Sequence, residues 1–175
     1  LGAMELDGGR KGAEEFLACD KDTNNDIYCF RGTTTPAWTS PTNNIMTATT
    51  DTGIQRSFDL AYESSTGTEG IVVYSDLTAI PKLKKYASSS NSFDASPTSL
   101  NTLGGALKTV KLRKASDSDD VMIIMGDANN DFYTIAWNGS TNTVYTSPSG
   151  KAFSTHGTNG SNAIELWYGF AWDEF

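Results

Sequence analysis

The 175-residue chain has little of what catalytic and metal sites are commonly built from: one histidine, His156, and two cysteines, Cys19 and Cys29. His156 lies in the polar stretch SPSGKAFSTHGTNG and reads as a solvated loop residue. Neither a G-x-S-x-G turn nor an H-E-x-x-H helix is present to seat a nucleophile or a zinc ion. Positive charge is also scarce, 13 Lys and Arg against 21 Asp and Glu, for a net charge of −8. A nucleic-acid backbone would be repelled, so no nucleic-acid partner is expected. No apolar run approaches the roughly 18 residues of a membrane helix, so no membrane insertion is expected either.

Helical periodicity is missing as well. No window of 11 or more residues keeps a helical apolar period, and the nearest, 5–16, is weakened by Gly8, Gly9 and Gly12. What the chain does have is Ser, Thr, Asn and Gly around short apolar segments, with 38% hydrophobic and only 19% charged residues. That is the composition of short strands joined by many turns, and it predicts an all-β fold.

The clearest single unit is 120–139, DVMIIMGDANNDFYTIAWNG, read as a β-hairpin: an apolar arm at 121–125, a turn at 126–131 and a second arm at 132–137. It has an echo at 15–32, EFLACDKDTNNDIYCFRG, in which Asn24, Asn25, Asp26, Ile27 and Tyr28 match Asn129, Asn130, Asp131, Phe132 and Tyr133. Strand openings also recur near Glu5, Phe58, Val110 and Ile164, a period of about 53 residues, within the range of propeller blades. The predicted organisation is one all-β domain of β-propeller-like blades: 4–57, 58–109, 110–163 and a partial or closing fourth unit, 164–175. A β-sandwich of seven to nine strands is the alternative.

FDLAYESSTG followed by GIVVYSD, and VKLRKASDSDD followed by VMIIMGDANNDFYTIAWNG, resemble a repeat of large predicted extracellular proteins of bacteria and archaea. In that repeat an F-D-V-A-Y-E segment, an A-L-V-V-Y-like strand and an N-N-D-L-Y hairpin alternate. The resemblance covers 58–139 well and 16–32 less closely. It implies propeller-like blades and a secreted or cell-surface setting, and it brings no catalytic residue with it. A closed propeller has four to eight blades. Three units and a fragment leave open sheet edges, from which self-association is expected.

Cys19 and Cys29 flank the first hairpin turn and would face each other across its arms, so a disulfide is expected, which points to an extracellular location. Asp20, Asp22, Asn24 and Asp26 fall at alternate positions, and Asp127, Asn129 and Asp131 repeat the pattern. This spacing of oxygen ligands suits calcium, although the glycine and the closing glutamate of a calcium loop are absent and turn chemistry alone accounts for the residues. No other cofactor is expected. Among the aromatics, Trp137, Tyr133, Tyr28 and Trp38 are the candidates for stacking on a glycan, with Trp137 expected to be partly exposed; packing between sheets is the competing role. Asn138 and Asn159 open N-glycosylation sequons. The first functional expectation is a non-enzymatic extracellular module for adhesion or assembly into oligomers or filaments. A carbohydrate-binding propeller-like module comes second, and a polysaccharide-active enzyme third.

Overall fold

The computed structural model of the chain describes residues 4–8, 15–33, 37–46, 57–64, 68–129, 131–138 and 144–146. These residues are all-β, with no helix among them. They form three antiparallel sheets, each drawn from one contiguous segment, and none of the three closes on itself. The partial unit at 164–175 lies outside the described residues.

The first sheet runs β1 (Met4–Gly8), β2 (Glu15–Lys21) and β3 (Ile27–Thr33). Its far edge is completed by two short strands that both pair with β3, β4 (Trp38–Thr39) and β5 (Ile45–Met46). The second has β6 (Phe58–Tyr62), β7 (Glu69–Tyr74) and β8 (Lys82–Ala87), with β9 (Ser92–Phe93) and β10 (Thr98–Ser99) pairing with β8. The third is a plain meander of β11 (Leu107–Lys114), β12 (Val121–Asp127), β13 (Phe132–Trp137) and β14 (Val144–Thr146).

Strand alternation explains how the sheets stack. Successive side chains point to opposite faces, so Phe58, Leu60 and Tyr62 on β6 and Val72 and Tyr74 on β7 meet Leu17, Cys19, Ile27, Cys29 and Met46 of the first sheet. Ala61, Ile71, Val73 and Leu83 point the other way, onto Val110, Leu112, Val121, Ile123, Met125, Ile135 and Trp137 of the third. The second sheet is therefore covered on both faces, and its β6 is buried along its whole length. The opening strands lie side by side, β1 next to β6 and β6 next to β11.

The F-D-x-A-Y-E segment has a structural role at this junction. The buried Asp59 accepts the Leu112 N–H of β11 at 2.6 Å through Oδ2 and the Leu60 N–H at 2.9 Å through Oδ1, tying the second sheet to the third. At the outer edges the first and second sheets are joined by backbone bonds, Thr42 N–H to Asn91 O at 3.0 Å and Phe93 N–H to Thr42 O at 2.9 Å.

The expected disulfide is present. Cys19 and Cys29 are direct partners in the β2–β3 register, bonded with Cα atoms 4.0 Å apart. Among the described residues no helix is long and apolar enough to cross a membrane.

Candidate functional site

Three groups of chemically active side chains stand out, and two of them are committed to holding the fold. The first surrounds Glu15, which is 5% exposed between the first two sheets. Its Oε1 accepts the Tyr62 hydroxyl at 3.0 Å and lies 3.5 Å from the Tyr86 hydroxyl, which has a nearer acceptor in Asn91 Oδ1 at 3.0 Å, while Oε2 accepts Ser88 Oγ at 3.0 Å and lies 2.8 Å from Arg31 Nη2. Tyr62 and Tyr86 meet edge to face, with ring centroids 6.0 Å apart. Burial and the neighbouring carboxylate push the Tyr62 hydroxyl far above its ordinary range and raise that of Tyr86 to about 12. Apart from Arg31 Nε, which is buried without a hydrogen-bond partner, these groups answer one another and make a polar seam between sheets. The sequence reading did not single out Glu15; its only signal was an acidic residue at the head of an apolar strand.

The second group is the pair of Asn-Asn-Asp hairpins. Asp22 Oδ1 accepts the N–H groups of Asn24 and Asp26 at 2.8 and 2.9 Å. Asp127 Oδ1 accepts those of Asn129 and Asp131 at 2.9 and 3.0 Å. The backbone repeats too, with Asp22 N–H to Asp26 O at 2.9 Å and Asp127 N–H to Asp131 O at 3.1 Å. In the first copy Asn25 takes a left-handed φ of 67°, a conformation asparagine tolerates better than most residues. Asp127, fully buried, also accepts the Gly105 N–H at 2.7 Å and the Tyr133 hydroxyl at 3.3 Å through Oδ2. Of the seven residues considered for calcium, Asp22 and Asp127 thus act as the organisers of turns. Asp20 accepts the Lys21 N–H at 2.8 Å from the neighbouring strand position. Among the described residues no group of three or more His, Cys, Asp or Glu is arranged to hold a metal.

The third group is a surface. On β2 and β3 the residues that alternate with the core, Phe16, Ala18 and Asp20 against Gly32, Phe30 and Tyr28, form the face of the first sheet turned away from the second. Trp38 pairs with Gly32 from the other side and joins the same face. Trp38 is 58% and Phe30 41% exposed, while Phe16 and Tyr28 are half-buried. The rings of Phe16 and Trp38 close over Gly32 with centroids 6.3 Å apart. On β2, β3 and β4 this outer face carries four aromatic rings alongside Gly32, Ala18 and the Asp20 carboxylate.

The predicted stacking residues divide cleanly. Tyr28 and Trp38 belong to this surface. Trp137, expected to be partly exposed, is fully buried because its strand end lies against the second sheet. Tyr133 is 5% exposed, and its hydroxyl is held by Asp127 and the Gly104 N–H. Phe16 and Phe30 were missed, although the Cys19–Cys29 pairing fixes the register that puts them beside Tyr28. Asn138 is half-buried at the end of β13, and Asn159 lies outside the described residues.

No protein-family model matches the chain, and no curated protein matches its sequence. Among solved structures it is similar to a Bifidobacterium bifidum s17 protein provisionally named an exo-beta-1,3-galactanase, with a TM-score of 0.50 and 14% identity. The match covers 81% of this chain and 50% of that one, so the chain spans about half the length of its structural counterpart. At this identity the likeness concerns the fold. It corrects the first functional expectation: a counterpart of this arrangement of sheets is named for action on a polysaccharide, and the non-enzymatic adhesion and assembly reading is set aside.

Proposed function

We propose that the chain is a carbohydrate-recognising module of propeller-like blades, and that it engages glycans through the outer face of its first sheet. The observation that carries the reading is the set of four aromatic rings, Phe16, Tyr28, Phe30 and Trp38, presented together on one face with Trp38 more than half exposed. Exposed aromatic patches mark binding surfaces. An aromatic ring offers a flat apolar partner to the C–H face of a sugar, and a carboxylate such as Asp20 can accept from its hydroxyls. The fold likeness to a protein named for β-1,3-galactan supports that polymer as the first ligand to try. The succession of three meanders with adjacent opening strands supports the blade arrangement. The disulfide suits a protein that works outside the reducing cytosol.

The test is titration calorimetry with β-1,3-galactan fragments, together with a reducing-end assay on the same samples to separate binding from turnover. Trp38→Ala is expected to weaken binding by about tenfold, as loss of one stacking ring would, while leaving the melting temperature nearly unchanged because the side chain is largely in solvent. Binding that is indifferent to Trp38→Ala would place the glycan elsewhere and sink this assignment.

A further inference from the structure

We infer that the outer face of the third sheet is a docking surface for the chain's own segment 164–175, received there as the opening strand of a fourth unit. The placement follows from how the first three units dock. Leu17 and Cys19 of β2 hold the same register positions as Ile71 and Val73 of β7 and as Met122 and Ile124 of β12. Their partners on the opening strands are Asp7 and Glu5 in the first unit, Ala61 and Asp59 in the second, and Arg113 and Lys111 in the third. In the first two units this face is buried on the next sheet, Leu17 and Cys19 with Phe58 and Leu60, and Ile71 and Val73 with Val110 and Leu112.

In the third unit the same face is turned away from the second sheet, because Val121, Ile123 and Met125 of β12 are the residues that face it. Ile124 is nevertheless only 7% exposed, and Met122 and Lys111 are half-buried. At the opposite end of the stack, Phe30 and Trp38 on the first sheet are 41% and 58% exposed. The two end faces are therefore not equivalent, and the one built from β11 and β12 is the better covered.

The segment 164–175 has the sequence that this kind of face receives elsewhere. Phe58, Leu60 and Tyr62 are the side of β6 given to the first sheet, and Val110 and Leu112 the side of β11 given to the second. Ile164, Leu166 and Tyr168 fall at the same alternate positions, IELWY against FDLAY. Charge agrees. Where the second unit has Asp59 and Ala61 on this face, the third has Lys111 and Arg113, and 164–175 carries Glu165, Asp173 and Glu174 with no lysine or arginine. Length agrees as well. The edge strands β11 and β14 of the third sheet are three strand spacings apart, about 14 Å, and residues 147–163 reach up to about 55 Å when extended. The corresponding joins, from Met46 to Phe58 and from Ser99 to Leu107, are shorter.

A double-mutant cycle and chemical cross-linking on the full chain test this. Ile124→Ala and Leu166→Ala are each expected to lower the melting temperature by several degrees, and together by clearly less than the sum, because both truncate one contact. Leu17→Ala, which cuts into the other interface, should add to Leu166→Ala without coupling. Carbodiimide, which joins an amine directly to a carboxylate, should link Lys111 to an acid of 164–175 within the monomer. Lys111→Arg keeps the charge, removes the amine and should abolish that link. Additive losses for Ile124 and Leu166 overturn the docking. A link that forms only between copies overturns it too, and gives the face to a second chain. Should a variant fail to fold, the wild-type link decides alone: its presence within one chain supports the docking, and its absence overturns it.

Discussion

Glu15 shows what a single residue does when it is buried among hydroxyls and one guanidinium. An ion pair taken out of water is supported only where its remaining lone pairs are met, and here Tyr62, Ser88 and Arg31 meet those of Glu15. The tyrosines of this inter-sheet layer give a pH dependence of definite sign. Tyr62, Tyr74 and Tyr86 hold their protons more tightly in the fold than in the unfolded chain, Tyr74 and Tyr86 up to about 12 and Tyr62 beyond. An ordinary tyrosine loses its proton near 10, so the unfolded chain releases protons first and is favoured as pH rises. The stability these groups contribute is complete below pH ~10 and falls from there upward. Lys84, lowered by burial, acts in the opposite direction just below its ordinary range, one group against these three and Tyr133, whose hydroxyl burial also raises. Denaturant midpoints at pH 9 and 11 are expected to drop over that interval. The 295 nm tyrosinate band of these residues should appear together with unfolding; if it appears in the still-folded protein at pH 10, the seam is open to solvent. Tyr62 and Tyr86 read as core from sequence, since both sit in strand segments, but the carboxylate they face lies 47 and 71 residues away in the chain and no local pattern could join them.

At the level of elements, the repeated hairpin shows one motif used under two degrees of burial. Asp22 and Asp127 make the same pair of backbone contacts, but only Asp127 is fully buried and also holds Gly105 and Tyr133. Replacing Asp22 by alanine leaves turn N–H groups that water can reach, and should cost about 1 kcal/mol. Asp127→Ala strands buried donors at the foot of the third sheet, and should cost about 3 kcal/mol. Urea denaturation of the two variants checks the ranking, and equal losses would mean that the second contact set contributes nothing. This correspondence was legible in the sequence because an Asp at the turn's head and the Asn-Asn-Asp that follows are local. The disulfide was legible for the same reason: two cysteines equidistant from a turn become cross-strand partners once the turn is placed. Which face of each hairpin would meet solvent was not legible. Trp137 closes β13 and Trp38 opens β4, each next to a polar residue, and only the stacking order of the sheets buries one and exposes the other.

Over the whole molecule, the second sheet is the common partner of the other two, and this couples segments far apart in sequence. Val72 and Ile71 are neighbours on β7, yet Val72 is buried with the first sheet and Ile71 with the third. In repeat architectures stability is the sum of intrinsic unit terms and nearest-neighbour interfaces, and the central unit here takes part in both interfaces. A cavity cut into it should therefore loosen the whole stack. Ile71→Ala is expected to cost about 2 to 5 kcal/mol, the range for removing a buried isoleucine side chain, and to lower one cooperative transition. Backbone circular dichroism and tryptophan fluorescence should report the same midpoint, because the signals come from sheets that share this core. The first sheet is the informative place to look for a departure. It keeps its own disulfide-linked hairpin and loses only one neighbour when the second sheet opens. A second transition that disappears on reduction would show that this hairpin, and with it the aromatic face, outlasts the stack it is attached to, and that the three sheets are joined less tightly than their shared buried surfaces require.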